Sequence, residues 1–202
     1  DDLVLKHGNG TDQVVIAQWY TQTDLPIERV EFSDGTVWNA QELALRAVTY
    51  FGTANADTLV GSADAEIFYG YAGTDDIWTG DGNDTVYGGD ANDLLAGQGG
   101  DDVLLGEAGD DAVYGDDGND TLVGGTGNDA LIGGLGDDMF VFSRGDGIDT
   151  IWEQSGTDVV RFDASISASD IDVKRAGDDL VLKHGNGTDQ VVIAQWYTQT
   201  DL

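Results

Sequence analysis

Between residues 52 and 141 the chain alternates short apolar stretches with polar, glycine-rich stretches, and the pattern repeats every nine residues. Ten nonapeptides of the type GGTGNDALI fill this range without a gap, with Gly first in nine of them and Asp sixth in nine. The eighth position is apolar in all ten: Leu59, Phe68, Ile77, Val86, Leu95, Leu104, Val113, Leu122, Leu131 and Phe140. A flexible acidic linker has no reason to keep an apolar residue in frame ten times, so the pattern predicts an ordered repeat.

Each nonapeptide divides into a turn and a strand. Glycine accepts backbone conformations that other residues avoid, which favours a turn in the first half. The second half, such as DTLV or NDALI, favours a short β-strand whose eighth residue faces inward while its neighbours face outward. Two nonapeptides then form one coil, and the ten nonapeptides form five stacked coils with parallel strands.

The nonapeptides resemble the repeat-in-toxin (RTX, haemolysin-type) pattern G-G-x-G-x-D-x-U-x, which implies a right-handed parallel β-roll that binds Ca²⁺ in its turns. The predicted fold class is therefore all-β, a parallel β-roll of about five coils with small antiparallel flanking and capping segments. One short helix is predicted over residues 39–50, where Asn39 has the character of an N-cap. The predicted domains are an N-terminal flank (1–51), the calcium-binding roll (52–141) and a C-terminal cap (142–202).

The resemblance implies that sixth-position carboxylates bind the ions together with carbonyl oxygens of the turns. One edge of the roll carries Asp57, Asp75, Asp93, Asp111 and Asp129. The other edge carries Glu66, Asp84, Asp102, Asp120 and Asp138. Four gaps between five turns on each edge predict about eight Ca²⁺ ions.

Both ends of the predicted site depart from the pattern. After a two-residue insertion, RGDGIDTIW (144–152) forms a damaged eleventh unit whose Asp149 is expected to close a ninth gap. The fourth-position Gly is replaced at Asn55, Asp64 and Ala91, and Glu66 is longer than Asp. Weak or empty sites are therefore expected near residues 52–70.

Charge gives an independent argument for a cation. The chain has a formal net charge of −31, and residues 52–141 contain 18 Asp and 2 Glu with no Lys or Arg. That charge disfavours nucleic acid and anionic membranes as partners. Oxygen ligands in a segment without Cys or His favour Ca²⁺ over zinc or copper. We therefore expect the roll to be disordered without calcium and to fold when calcium binds.

The flanks contain a long repeat. Residues 1–25 recur without a mismatch at 178–202, so that Asp1 corresponds to Asp178 and Leu25 to Leu202. A tandem array of 177-residue units explains this duplication, and a duplication introduced by cloning is the alternative. In such an array a cap would be completed by the neighbouring copy, so head-to-tail contact between copies is expected.

The flanking sequences predict small antiparallel β-structures. DLVLKHGNGTDQVVIAQWY predicts a hairpin that exposes His7 and His184, and DTIWE, DVVRF, DIDVKR and DLVLKH predict a meander. The stretch that begins DLVLKHGNGTDQVVIAQWY and continues to IERVEFSDGTVWN also resembles the haemolysin-type calcium-binding-related domain that accompanies such repeats. Its predicted role is to cover the open ends of the roll, because solenoid ends expose core residues and strand edges.

Two functions fit the sequence. The first is a calcium-binding structural module repeated in a secreted or surface protein, such as an adhesin or matrix protein. The second is the export and folding tail of a toxin, protease or lipase. The chain contains no G-x-S-x-G, no H-E-x-x-H and no Cys nucleophile, so we expect no enzymatic activity in it. No apolar run is long enough to span a membrane. An extracellular location is expected because calcium modules of this kind work at the calcium concentrations found outside the cell.

Overall fold

The computed structural model describes residues 3–6, 13–16, 29–33, 35–39, 41, 43 and 48–197. The chain divides into two compact units, Asp1–Thr49 and Tyr50–Leu202. Strands and turns account for nearly all of the described residues, which confirms the predicted all-β class. Among these residues, no helix combines the length and the apolar character that crossing a bilayer requires.

The first unit contains two small antiparallel ladders. Strands β1 (Leu3–Lys6) and β2 (Gln13–Ile16) pair with Leu3 opposite Ile16, as the predicted hairpin requires. Strands β3 (Arg29–Glu31) and β4 (Val37–Asn39) form the second ladder, in which Val30 lies opposite Trp38.

The predicted helix over 39–50 is wrong at both ends. Asn39 is the last residue of β4, where it pairs with Arg29, and strand β5 already begins at Thr49 (Thr49–Phe51). Between them, Gln41 and the fully buried Leu43 are helical. The other positions of the predicted helix lie outside the described residues, except for Val48, which is in a turn. Strand pairing overrides the local helix propensity at both ends.

The second unit is built from two sheets that take alternate strands. Its strands are β6 (Thr58–Val60), β7 (Ile67–Ala72), β8 (Asp76–Trp78), β9 (Thr85–Asp90), β10 (Leu94–Ala96), β11 (Val103–Ala108), β12 (Ala112–Asp117), β13 (Thr121–Thr126), β14 (Ala130–Leu135), β15 (Met139–Phe142), β16 (Ile148–Trp152), β17 (Val159–Phe162), β18 (Ile171–Ala176), β19 (Asp179–His184) and β20 (Gln190–Ile193). One sheet has the order β18-β19-β20-β16-β14-β12-β10-β8-β6, and the other has the order β17-β15-β13-β11-β9-β7-β5.

The register of the sheets is that of a parallel roll. Each strand pairs with the strand two nonapeptides away, so that Leu95 lies beside Ile77 of the preceding coil and Val113 of the following coil. The predicted winding of two nonapeptides per coil is therefore confirmed. Equivalent residues of successive coils stack directly above one another.

The roll is longer than the sequence predicts. β16 pairs in parallel with β14, and β17 pairs in parallel with β15, in both cases with the register moved by the two-residue insertion. The two strands complete about six turns instead of five. DTIWE and DVVRF are thus roll strands, and the antiparallel part of the predicted meander is limited to β18, β19 and β20.

The eighth-position residues form the core of the roll. From Phe68 to Phe140 all nine are at most 1% exposed, whereas Leu59 in the first coil is half-buried. Ile151 and Val191 extend the same core into the C-terminal strands. The predicted inward face is confirmed.

The duplicated segment has the same register in both copies. Leu180 lies opposite Ile193 in the β19–β20 hairpin, at the positions that Leu3 and Ile16 occupy in β1–β2. The second copy also joins the roll, because β20 pairs in parallel with β16. This arrangement buries His184, which is 4% exposed, so its prediction as a surface residue is wrong.

Truncation of one core residue tests this architecture. Leu104→Ala removes a fully buried side chain, and we expect it to lower the free energy of unfolding by about 2–5 kcal/mol. The control Val103→Ala alters a neighbour that is 38% exposed and should cost less than about 1 kcal/mol. Urea denaturation of the folded chain measures both values, and equal losses would contradict the assignment of the inward face.

Candidate metal centre

The sixth-position carboxylates form two ladders, one along each edge of the roll. We name the Asp75 edge after the row Asp57, Asp75, Asp93, Asp111, Asp129 and Asp149, and the Asp84 edge after the row Glu66, Asp84, Asp102, Asp120, Asp138 and Asp158. Within a row, one carboxylate oxygen accepts a hydrogen bond from the backbone N–H of the residue one coil earlier. The N–H of Asp93 donates to Asp111 Oδ1 at 2.8 Å, and the N–H of Asp102 donates to Asp120 Oδ1 at 2.8 Å.

The second oxygen of these carboxylates has no donor. Among the described residues, eight buried Oδ2 atoms have no hydrogen-bond partner: those of Asp75, Asp84, Asp93, Asp102, Asp111, Asp120, Asp129 and Asp138. All eight residues are at most 4% exposed. Leaving a buried charged oxygen without a partner is costly, so eight such atoms in register indicate positions for a ligand that the protein itself does not supply.

Seven of these oxygens face a space beside a first-position glycine. At Gly88, an added Cβ would lie 2.8 Å from Asp93 Oδ2 and 2.8 Å from the carbonyl oxygen of Gly106 in the next coil. The space is thus bordered by a carboxylate oxygen and a main-chain carbonyl oxygen, and it is kept open because glycine has no side chain. Such a set of oxygen donors fits Ca²⁺.

Thr79 fills the space beside the eighth oxygen. It is the only first-position residue among the ten nonapeptides that is not glycine, and it is fully buried. Its hydroxyl donates to the carbonyl oxygen of Gly97 at 2.7 Å, the atom that a ligand beside Asp84 would use. The space beside Asp84 is therefore closed, whereas the other seven remain open.

The first two carboxylates of the rows have protein donors. The N–H and the hydroxyl of Thr53 donate to Asp57 Oδ2 at 2.6 and 2.8 Å. Ser62 donates its N–H to one oxygen of Glu66 at 2.8 Å and its hydroxyl to the other at 2.6 Å. Both predicted ligands thus differ from the eight carboxylates that keep a buried oxygen without a donor.

The three residues that replace the fourth-position glycine differ in backbone conformation. Ala91 has a φ of 83° and so retains the left-handed turn, whereas Asn55 and Asp64 are not among the residues with positive φ. The replacement of glycine by Ala91 therefore leaves the turn intact, and the turns of the first two nonapeptides have a different conformation.

Two carboxylates end the rows. Asp149 is buried and accepts from the N–H of Asp129 at 3.0 Å. Asp158 accepts from the N–H of Asp138, also at 3.0 Å, but it was not among the predicted ligands. The signal for it is EQSGTDVVR (153–161), which keeps Gly fourth, Asp sixth and an apolar residue eighth.

A second, exposed ladder was also missed. Fifth-position Asn and Asp side chains accept backbone N–H bonds from the next coil: the N–H of Asn119 donates to Asp101 at 2.8 Å, and that of Asp137 donates to Asn119 at 2.9 Å. Asn and Asp alternate along this row. The alternation keeps like charges apart, which reduces repulsion between neighbouring coils.

Burial raises the pKa of the sixth-position Asp carboxyl groups from Asp75 to Asp149, and neighbouring carboxylates raise it further. The pKa reaches about 7 at Asp102 and Asp111, about 8 at Asp149, and about 6 at Asp93 and Asp120. The rows therefore favour protons or another cation over the free charged form.

The raised pKa values predict how the ion-free chain responds to pH. A carboxyl group with a higher pKa in the folded state than in the unfolded chain binds its proton more tightly when folded. The ion-free fold therefore loses stability as pH rises from about 4 through the folded-state pKa values, the highest of which is about 8 at Asp149. Acidifying the chelator-treated chain from about pH 8 to about pH 5 should therefore increase its sheet signal in circular dichroism. The double variant Asp102→Asn, Asp111→Asn should respond less, and a signal independent of pH would contradict the assignment.

Comparison with solved structures finds the extracellular lipase LipA from Serratia marcescens, with a TM-score of 0.30 and 18% sequence identity. The match covers 72% of this chain and 37% of the lipase chain, so this chain spans little more than a third of that protein. Comparison with curated proteins finds no matching relative.

Two family models match the chain, one within each of its two compact units. The haemolysin-type calcium binding protein related domain matches residues 2–42. The RTX calcium-binding nonapeptide repeat matches residues 51–86, 87–122 and 114–151, about half of the chain together. Repeats of this kind are typical of secreted bacterial proteins. The chain belongs to the family of RTX calcium-binding nonapeptide repeats, and it is a calcium-binding repeat module.

Proposed function

We propose that this module folds when it binds calcium and that it serves as a structural unit of a larger extracellular protein. The observation that supports the proposal best is the set of eight buried Oδ2 atoms without a donor. Seven of them border an open space beside a first-position glycine. Bound calcium supplies positive charge to these oxygens, and the protein supplies the spacing.

Charge couples this binding to folding. Residues 52–141 contain 20 acidic and no basic side chains, and the fold stacks one sixth-position carboxylate on each edge in every coil. In the absence of a cation this stacking is opposed by repulsion and by desolvation of buried charge. The free energy of ion binding then becomes free energy of folding, as in other metal-dependent domains.

The affinity range of extracellular calcium modules supports the proposed extracellular setting. Calcium modules outside the cell work at dissociation constants of ~10⁻⁴–10⁻³ M. A module of this affinity remains unfolded where calcium is scarce and folds where calcium is abundant. We propose that this difference makes the chain fold after export.

The larger protein is proposed to be a tandem array. The exact recurrence of residues 1–25 at 178–202 supports it. No catalytic role is proposed for this chain. Head-to-tail contact between copies stays a prediction, and sedimentation in calcium at several concentrations would test it.

The sequence of the longer protein separates this proposal from the alternative of an export tail. Further 177-residue copies beside this chain would support the array. A catalytic domain beside it would support the tail of a toxin, protease or lipase.

A calcium titration tests the coupling of binding to folding. Circular dichroism of the chelator-treated chain should change cooperatively to a sheet spectrum as calcium is added. Magnesium should not replace calcium, because it requires a tighter octahedral shell. A chain that keeps its full sheet spectrum without calcium would contradict the proposal.

A matched pair of variants locates the response. Asp111→Asn alters a buried carboxylate with a free Oδ2 and should raise the calcium midpoint. Asp117→Asn makes the same chemical change at an exposed position of the neighbouring nonapeptide and should leave the midpoint within about twofold. Equal midpoints for the two variants would show that the row does not hold the ions.

Removal of the Thr79 side chain tests the count of sites. Thr79→Gly restores the first-position glycine and frees the carbonyl oxygen of Gly97. Calorimetry or native mass spectrometry should then detect one more calcium ion than in the original chain. Glycine at this position should leave the other sites unchanged, and an unaltered stoichiometry would mean that the hydroxyl does not block the site.

A further inference from the structure

The last coil on the Asp84 edge ends in a set of three carboxylates. Asp138, Glu153 and Asp158 each have an oxygen within 4.8 Å of the oxygens of the other two. Asp138 precedes β15, Glu153 follows β16, and Asp158 precedes β17. The group therefore joins turns that belong to strands of both sheets.

Buried oxygens without donors face this group. Asp138 is 1% exposed and its Oδ2 has no hydrogen-bond partner. Glu153 Oε2 is likewise buried without a partner. The other oxygen of Glu153 accepts from the N–H of Gln154 at 2.7 Å and from that of Gly134 at 3.3 Å. Glu153 thus repeats the arrangement of the Asp rows, with one oxygen held by the backbone and the other free.

Glu153 occupies the place that a backbone carbonyl occupies one coil earlier. Beside Gly115, the open space is bordered by Asp120 Oδ2 and the carbonyl oxygen of Gly133. Beside Gly133, it is bordered by Asp138 Oδ2 and Glu153 Oε2. A first-position glutamate in place of glycine therefore contributes a carboxylate oxygen where the preceding coil contributes a carbonyl.

The two edges end differently. On the Asp75 edge the corresponding first-position residue is Arg144, whose guanidinium donates to the carbonyl oxygen of Ser165 at 2.9 Å and lies at the surface. On the Asp84 edge the corresponding residue is Glu153, whose carboxylate lies close to that of Asp138. The additional carboxylate is thus specific to one end of one edge.

We propose that Asp138, Glu153 and Asp158 form a calcium site that binds more tightly than the repeated sites and releases its ion last. The proposal rests on the proposed function, because it assigns one site of that same calcium-binding module. A repeated space such as the one beside Gly115 has a carbonyl where this one has a carboxylate, so this site carries one more negative charge. In calcium sites the number of charged ligands and the rigidity of the site set the affinity.

The site also has a structural consequence. It connects the turn before β15 with residues 153–158, which link β16 to β17. An ion retained there would hold the last coil together while the preceding coils lose theirs. Loss of calcium would then proceed from the N-terminal coils, where Asp57 and Glu66 already have protein donors.

Native mass spectrometry of the full chain with increasing chelator tests the proposal. The original chain should pass through a species that retains one calcium ion after the others have left. In Glu153→Gln the affinity for this ion should fall about tenfold, because one charge at close range is removed, and the one-ion species should disappear. Glu107→Gln makes the same change at an exposed position and should keep the species.

A second variant guards against loss of folding. Glu153→Gly introduces the residue that occupies the first position in nine of the ten nonapeptides, and it should convert the site to one of repeated type. A sheet spectrum at saturating calcium establishes that each variant folds. If Glu153→Gln and Glu107→Gln retain the same one-ion species, the inference is wrong while the proposed function stands. If the original chain binds no calcium, the proposed function itself fails.

Discussion

The stability of the structure depends on how the charge of its buried carboxylate oxygens is compensated, because these oxygens have no donor among the described residues. In each repeated coil the backbone satisfies one oxygen of the sixth-position Asp, as the N–H of Asp93 does for Asp111, and leaves the other without a partner. At Gly88 that second oxygen, from Asp93, shares its space with the carbonyl oxygen of Gly106. Two oxygens that face each other across a glycine repel unless a cation lies between them. The stacking of the coils thus brings oxygens together at positions that fit a cation.

Departures from the repeat pattern affect this arrangement differently according to their position. A first-position side chain enters the space between the oxygens, as Thr79 does, whereas Ala91 at the fourth position only has to adopt a positive φ. The exposed fifth positions meet neither demand, because they lie outside that space and none of them has a positive φ. In the exposed fifth-position row, Asp101, Asn119 and Asp137 follow one another, which adds hydrogen bonds to the stack without adding a charge at every coil.

The two ends of the roll differ in the groups that lie beside their carboxylates. In the first two nonapeptides, Thr53 and Ser62 donate to the carboxylates of Asp57 and Glu66, so these coils need no cation at those atoms. At the other end, Glu153 and Asp158 add negative charge. There β20 continues one sheet in parallel with β16, and β19 and β18 follow it in antiparallel order. The roll thus has carboxylates with protein donors at its N-terminal end and a group of three close carboxylates at its C-terminal end.

The sequence alone determined the period, the inward face and the rows of carboxylates, because each depends on residues in a fixed local frame. Leu95 and Asp93 could be assigned to core and site from their positions in one nonapeptide. Only the tertiary structure decided where the roll ends, since β17 and β20 join it through pairing with distant strands. The packing of the C-terminal strands also buried His184. The predicted helix failed at its two ends because Asn39 pairs with Arg29 in the β3–β4 ladder and because β5 begins at Thr49. It likewise decided the role of Glu153. The carboxylate of this residue lies beside Gly133 and Asp138 of the preceding coil, which are distant from it in sequence.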